Sequence, residues 1–94
     1  MADFCVYILH SLKLGRYYVG TTDDFERRFL EHNNGSYNDS FTKKGIPWTV
    51  YLIINNLCSE QAYKIEKKIK SQKSVTYILN LKKYPEMLEK LKNI

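Results

Sequence analysis

The sequence predicts a single α+β domain, and three observations carry this prediction. A chain of 94 residues is long enough for one domain with a small hydrophobic core. Three runs rich in β-branched and aromatic residues are typical of strands, and the first two are close enough to form an antiparallel hairpin. The segments between and after these runs repeat apolar residues at helical spacing. The predicted order is therefore strand, strand, helix, strand and helix, followed by one or two short helices.

The three strands are predicted from apolar runs at Phe4–His10, Arg16–Thr21 and Trp48–Asn55. The first run alternates poorly, which suits a strand covered on both faces, and it places Tyr7 on the same side as Cys5 and Leu9. Gly20 closes the second run, at a point where a bulky side chain would be unwelcome. The third run is the most apolar segment of the chain, so we expect its strand to be central or well covered.

The first helix is predicted over Asp23–Asn33, and Asn34-Gly35 ends it. Thr22 and Asp23 both offer side-chain oxygens for an N-cap. Glu26 follows three residues after Asp23, which resembles a capping box. The helix should therefore begin directly after the second strand.

Two phenylalanines one turn apart, Phe25 and Phe29, mark the buried face of this helix. Arg28 and His32 fall within about 60° of that face, whereas Arg27 points roughly the opposite way into solvent. Desolvating the Arg28 charge costs roughly several kcal/mol, so it needs a partner. That partner is either a structural carboxylate or an anion such as phosphate, which a guanidinium grips with two hydrogen bonds.

The segment Ser36–Pro47 reads as a loop, in which Lys43 and Lys44 are interleaved with Tyr37 and Phe41. Aromatic side chains stack on bases and lysines contact phosphates, so this loop suits a nucleic-acid strand. A plain surface loop would explain the same composition.

A second long helix, capped by Ser59, is predicted to run to about Ser71. Its buried stripe is Ala62, Ile65 and Ile69, and its outward-facing lysines are Lys64, Lys67 and Lys68. Glu66 lies about 65° from the centre of the stripe, closer than any of these lysines. It either pairs with Lys70, four residues on, or serves a functional site.

The C-terminal part reads as one or two short helices, over Thr76–Leu81 and Tyr84–Leu91, with Tyr84-Pro85 as the break. We expect one domain over residues 1–94, with its core at 4–81 and a C-terminal helix at 84–93. No internal repeat or low-complexity segment interrupts it.

The net charge of +5 is unevenly placed. Residues 1–47 carry six basic and six acidic residues, whereas residues 48–94 carry nine and four. A basic half suggests an acidic partner, with nucleic acid first and an anionic membrane second, although solubility alone would also explain it.

The two cysteines, Cys5 and Cys58, are too few for a disulfide framework or a metal site, and we expect both to be buried or half-buried thiols. The N-terminus lacks a signal-peptide pattern, and no apolar run approaches the ~18 residues of a membrane span. We therefore expect a cytoplasmic protein that does not enter the membrane.

Several short motifs, in this order and spacing, resemble the small stand-alone branch of the GIY-YIG nuclease superfamily. The two halves of its signature are similar to VYIL at 6–9 and YYVG at 17–20. The helix that comes after the signature is similar to DDFERRFLEH at 23–32. The loop is similar to Gly35, Thr42 and GIPW at 45–48, and the second conserved helix to EQAYKIEKKIK at 60–70. The resemblance covers residues 4–81. Two departures stand out, because Cys5 replaces the glycine of the first motif and Val19 replaces the isoleucine of the second.

The resemblance implies a three-stranded antiparallel sheet flanked by helices, and a metal-dependent endonuclease that hydrolyses phosphodiester bonds in DNA. The positions that match the family's catalytic residues are Tyr7, Tyr18, Arg28, His32 and Glu66, with Asn80 a looser match to a late active-site asparagine. We expect the first five to converge on one concave face. If Arg28 and Glu66 lay on opposite sides of the sheet, the interpretation as an enzyme would fail.

The resemblance also implies a role for each residue. Glu66 would hold one Mg²⁺ or Mn²⁺, which suits a cation that binds through one or two carboxylates plus substrate phosphate. Arg28 would bind the phosphate, and Tyr7 would hydrogen-bond the water or the phosphate. Tyr18 would be the general base, or would only orient the water and pass its proton to His32.

The first hypothesis is a DNA nuclease of low sequence specificity that acts on branched or damaged structures in repair or recombination. Two alternatives to it stay open. One is an inactive nucleic-acid-binding module on the same fold, and the other is a protein-interaction role. The lysines expected to contact the nucleic-acid backbone are Lys43, Lys44, Lys64, Lys67, Lys68 and Lys73.

Overall fold

The computed structural model describes residues 3–35 and 40–94 of the chain. Its elements in chain order are β1 (Phe4–Ser11), β2 (Arg16–Thr22), α1 (Phe25–Asn34), α2 (Ser40–Lys44), β3 (Trp48–Leu57), α3 (Ser59–Gln72), α4 (Val75–Lys83) and α5 (Pro85–Lys92). The predicted α+β class is confirmed. Within the predicted loop, residues 36–39 lie outside the described ranges, and the part that follows them forms the short helix α2 instead.

The three strands form one antiparallel sheet in the order β2-β1-β3. β1 is therefore the central strand, and Tyr7 at its middle lies opposite Gly20 of β2 and Ile53 of β3. The expectation that the third strand is central or well covered is wrong. β3 lies at one edge of the sheet, and Val50 is exposed there because the strand has a neighbour on one side only.

Each face of the sheet has its own core. Val6 and Ile8 of β1 pack on one face against the buried stripe of α3 and against residues of α4 and α5, namely Ala62, Ile65, Ile69, Ile78, Leu81 and Leu91. Cys5, Tyr7 and Leu9 point to the other face, where Trp48 and the phenylalanines of α1 cover them. This confirms that β1 is covered on both faces. The buried residues on the Val6 face are all apolar, whereas those on the other face include Tyr7.

The start of α1 differs from the predicted cap. The N-cap is Asp24, whose side chain accepts a hydrogen bond from the backbone N–H of Arg27 at 3.2 Å. The predicted capping box of Asp23 and Glu26 is therefore wrong, since the residue three positions after the N-cap is an arginine. Thr22 instead accepts from the N–H of Asp24 at 3.0 Å and holds the turn between β2 and α1. The predicted end is confirmed, because Gly35 takes the left-handed conformation at φ 76°.

The start of α3 also differs, because Cys58 is its N-cap residue and Ser59 lies inside the helix. Cys58 is consequently exposed. The expectation of a buried or half-buried thiol is therefore confirmed for Cys5 and wrong for Cys58. Tyr84-Pro85 separates α4 from α5 as predicted. Among the described helices, none is long and apolar enough to span a membrane.

Candidate active site

A buried phenol and a buried imidazole form the centre of the site. Tyr7 is 1% exposed and His32 is fully buried, and a hydrogen bond of 3.1 Å joins Tyr7 Oη to His32 Nε2, with the donor set by the histidine tautomer. A Cβ built at Gly20 would lie 2.5 Å from Tyr7 Cζ and closer still to the hydroxyl oxygen. Only glycine at this position lets the Tyr7 ring lie flat over β2 and reach His32, which explains the glycine that the sequence pattern singled out.

Tyr18 completes an aromatic cluster around the imidazole. Its ring centroid lies 4.6 Å from that of His32 and 6.3 Å from that of Tyr7, in edge-to-face and stacked arrangements respectively. Unlike Tyr7 and His32, Tyr18 is only half buried. Of these three groups it is therefore the one that a substrate or a water molecule reaches first.

Arg28 lies one helical turn before His32 on α1. Its side chain is 31% exposed, and its Nε lies 3.6 Å from Glu31 Oε1. Arg27 is 59% exposed, as the helical geometry predicted, and it pairs with Asp24. A partly exposed pair at this distance stabilises the fold by about 1 kcal/mol at most, so a phosphate that accepts two hydrogen bonds could displace Glu31 from Arg28.

Glu66 is held in place by two neighbours. Its Oε1 accepts a hydrogen bond of 2.5 Å from the hydroxyl of Thr21 on β2, and its Oε2 lies 2.9 Å from Nζ of Lys70. The carboxylate is thereby fixed beside the edge strand, with its side chain 21% exposed. The ion pair with Lys70, the structural alternative from the sequence, is present.

The expected convergence on one concave face needs correction. Glu66 belongs to α3, which packs on the Val6 face of the sheet, whereas Arg28 and His32 belong to α1 on the Tyr7 face. Successive residues of a strand point to opposite faces, so Thr21 meets Glu66 while Gly20 lies under Tyr7. Arg28 and Glu66 thus lie on opposite sides of the sheet, the arrangement that was expected to rule out an enzyme with its site on one face. These residues can act together only in a site that straddles β2. Because β2 is an edge strand, a substrate lying along its outer side has both faces within reach.

A hydrogen-bonded clamp holds α1 in register with the sheet. Asn33 accepts from the backbone N–H of Trp48 at 2.6 Å and donates to its carbonyl at 3.0 Å. The indole N–H of Trp48 donates to the carbonyl of Thr42 at 2.8 Å. A side chain at Gly45 would collide with the same indole, so this glycine lets the chain approach Trp48 closely. The clamp fixes the position of His32, one residue before Asn33.

Protein groups supply only part of the ligand set that a divalent cation needs. Across residues 3–35 and 40–94, no group of three or more His, Cys, Asp or Glu side chains could hold a metal ion. Glu66 and the neighbouring Thr21 hydroxyl offer hard oxygen atoms, which suit Mg²⁺ when waters and substrate phosphate supply the other ligands. Glu66 is therefore the residue that would hold such a cation.

The predicted backbone-contacting lysines lie on different surfaces. Lys43 and Lys44 end α2, while Lys64 and Lys68 lie about 160° around α3 from Glu66. Lys73, the C-cap residue of α3, lines a groove together with Lys70. Sequence reasoning missed one further cation on this side of the sheet, Arg16 at the start of β2, which lines the same groove. The spacing of Lys70 from Glu66 was visible in the sequence, but the proximity of Arg16 depends on how α3 packs along β2.

The chain was compared with families and individual proteins. A family model described as the GIY-YIG catalytic domain matches residues 3–79. No curated protein and no solved structure matches the chain. Since the family match covers most of the 94 residues, and since the sheet and its helices agree with it, the chain belongs to the GIY-YIG nuclease superfamily, whose members act on nucleic acids and generally depend on divalent metals.

Proposed function

We propose that this protein is a divalent-metal-dependent endonuclease that hydrolyses phosphodiester bonds in DNA. The observation that carries the proposal is the cluster of Tyr7, Tyr18 and His32 on one side of β2, with Glu66 held on the other side by Thr21. Arg28, one turn from His32 on α1, adds a partly exposed cation on the His32 side of the sheet. Family membership makes a nuclease the first function to test for this arrangement.

The metal would be held by Glu66, with water and substrate oxygen atoms as its remaining ligands. Bound there, Mg²⁺ or Mn²⁺ would supply Lewis-acid stabilisation of the phosphate and of the leaving oxygen. The hydrogen bond from Thr21 fixes the orientation of the carboxylate, as outer-shell partners of metal ligands commonly do. Lys70 occupies the other carboxylate oxygen, so it must move aside when a cation binds.

Tyr18 is the group that meets the attacking water. An unperturbed phenol has a pKa near ~10 and is a weak base at neutral pH. Tyr18 therefore either loses its proton with the help of a nearby cation, or orients the water while His32 takes the proton. Tyr7 is buried against His32, so we assign it to positioning the imidazole and not to contacting the phosphate directly.

Arg28 would bind the scissile phosphate and stabilise the charge that builds up in the transition state. It is half buried beside the aromatic cluster, where an ionic hydrogen bond is less screened than in bulk water. Removing such a contact costs about 10²–10³ in kcat in comparable anion-stabilising sites.

The test is cleavage of a panel of labelled duplex, single-stranded, flapped and branched DNA and RNA in Mg²⁺ or Mn²⁺. Glu66→Gln, Arg28→Gln and Tyr18→Phe are compared with the wild type, since each keeps the approximate shape of its side chain. We expect metal-dependent cutting that all three changes lower. Cutting that persists in all three would show that these residues are not the catalytic ones. The panel also tests the proposed structure-specific role in repair or recombination.

One observation favours a second candidate, a binding module that does not cut. Both carboxylate oxygens of Glu66 already have protein partners, which a purely structural glutamate would also have. This alternative predicts salt-sensitive binding of nucleic acid without metal, and binding that survives Glu66→Gln. The absence of cutting together with such binding would favour it.

A further inference from the structure

A groove of about 420 Å³ continues from the Glu66 side of the site along β2. It lies between the start of β2 and the junction of α3 with α4. Its walls carry three cations, Arg16, Lys70 and Lys73, and its floor is made of Tyr17 and of aliphatic side chains, namely Val19, Ile69 and Ile78. Among the described residues that line it, none is a carboxylate.

The groove is continuous with the candidate site through Lys70. That lysine lines the groove and also contacts Glu66 at 2.9 Å. Glu66 and Lys70 are four residues apart on α3 and share one face. Lys73, the C-cap residue of the helix, lines the groove beside Lys70. A chain of phosphates passing Glu66 would therefore meet Lys70 and then Lys73.

The floor of the groove carries an aromatic ring, which suits a nucleic-acid base and is not needed to bind a simple polyanion. Tyr17 lies in an aromatic cluster, with its ring 4.7 Å from His10 and 5.2 Å from Tyr51. Lys82 Nζ lies 4.5 Å from the Tyr51 ring and adds a cation behind it. Burial raises the pKa of Tyr51, and the neighbouring Tyr17 raises it further, so the Tyr51 phenol stays neutral at physiological pH. A flat neutral ring beside cations is the combination that binds an unpaired base and its phosphates.

We propose that this groove binds single-stranded nucleic acid, with Arg16, Lys70 and Lys73 on successive phosphates and Tyr17 against a base. The proposal rests on the nuclease function and narrows it, because it makes substrates with an unpaired strand next to the cutting site the preferred class. A duplex keeps its bases stacked inside and presents only phosphates, so it cannot use Tyr17.

The test is fluorescence anisotropy in EDTA, where nothing is cut, with a single strand, a blunt duplex and a flapped duplex of matched length. The groove variant is Arg16→Gln with Lys73→Asn. Asparagine is chosen because Lys73 has a positive φ of 48°, which asparagine tolerates, so the helix end is preserved. The matched control is Lys83→Gln with Lys90→Gln, which removes two exposed charges outside the groove.

For the groove variant we expect weaker binding of the single strand and of the flapped duplex, and a plot of log K against log salt that is shallower by about 1.4, since each phosphate contact on a single strand contributes ~0.7. Tyr17→Leu should weaken single-strand binding about fivefold or more. Blunt-duplex binding should change no more than in the control. Thermal unfolding checks that every variant is folded.

Equal losses in the groove and control variants, or a loss confined to the blunt duplex, would overturn the proposal. So would a larger loss from Lys64→Gln with Lys68→Gln, on the far side of α3. These outcomes are separate from those of the cleavage test. If Glu66→Gln abolished cutting while the groove variant bound nucleic acid as the wild type does, the proposed nuclease function would be supported and the proposed role of the groove would be wrong.

Discussion

Tyr7 meets three constraints with one side chain. Its position on the central strand buries its ring, Gly20 provides the space for that ring, and His32 provides the partner for its hydroxyl group. A buried hydroxyl without a partner costs about 1–3 kcal/mol, so the three positions depend on one another. Changing any one of them should move the other two.

Gly20→Ala tests this dependence. The added methyl group collides with the Tyr7 ring, and such overpacking costs about 1–3 kcal/mol. We expect the melting temperature to fall by roughly 4–24 °C, at ~4–8 °C per kcal/mol for a domain of this size, and nuclease activity to fall with it. Gly35→Asn is the control, since Gly35 has open space around it and asparagine tolerates its positive φ. Equal melting temperatures for the Ala variant and the wild type would contradict the argument.

The two cysteines should differ sharply in reactivity. Burial raises the pKa of the Cys5 thiol, which lowers its thiolate fraction at any pH below that value, and the side chain is inaccessible to reagent as well. Cys58 is exposed. Titration with a chromogenic disulfide at pH 8 should give one fast thiol in the native protein and two after unfolding. Cys58→Ser should abolish the fast reaction, and a fast thiol that survives in this variant would contradict the assignment.

At the scale of elements, α3 combines two tasks on one helix. Ala62, Ile65 and Ile69 anchor it to the sheet, while Glu66 and Lys70 lie beside β2. The ion pair neutralises the carboxylate when no cation is bound. Lys70 therefore competes with the metal for Glu66.

Lys70→Gln should strengthen metal binding. Pairs at i and i+4 on a helix are worth about 0.3–0.5 kcal/mol, so the Kd for Mn²⁺ should fall about twofold. Electron paramagnetic resonance of free Mn²⁺ measures this without substrate. Lys64→Gln is the matched control, because Lys64 forms the same kind of pair with Glu60 at 3.3 Å. An identical Kd in both variants would mean that Lys70 does not compete at Glu66.

Local patterns predicted the elements well where short-range forces decide them. The hairpin, the Phe25–Phe29 face of α1, the buried stripe of α3 and the break at Tyr84-Pro85 all depend on residues within a few positions of one another. The edge position of β3, the side from which Glu66 approaches and the proximity of Arg16 depend on how distant segments pack. A single sequence does not encode those distances in any local period, and they were predicted wrongly or missed.

At the scale of the whole molecule, the sheet separates stability from chemistry. The Val6 face carries an apolar core built with α3, α4 and α5, and the Tyr7 face carries the polar cluster built with α1. The two halves of the candidate site meet only at the edge strand β2. The position of α1 is therefore critical, and Asn33 fixes it by bonding both backbone groups of Trp48.

Asn33→Ala removes both hydrogen bonds of this clamp. At about 1 kcal/mol for each bond, the free energy of unfolding should fall by roughly 2 kcal/mol. Activity should fall further than stability accounts for, because His32 is the neighbouring residue. Thermal unfolding and cleavage measured well below the melting temperature separate the two effects. Asn55→Ala, at an exposed position on β3, should change neither; a loss of activity there as large as in Asn33→Ala would refute a specific clamp.

The chain contains one tryptophan, and it lies against the candidate site. The Trp48 ring centroid is 6.5 Å from that of His32 and 6.1 Å from that of Tyr18. An imidazolium at that distance quenches indole emission more strongly than a neutral imidazole does. The intrinsic fluorescence of the unlabelled protein therefore reports the charge of His32. A titration followed at the emission maximum, with His32→Gln as the flat reference, would follow the proton in the very group on which the proposed chemistry depends.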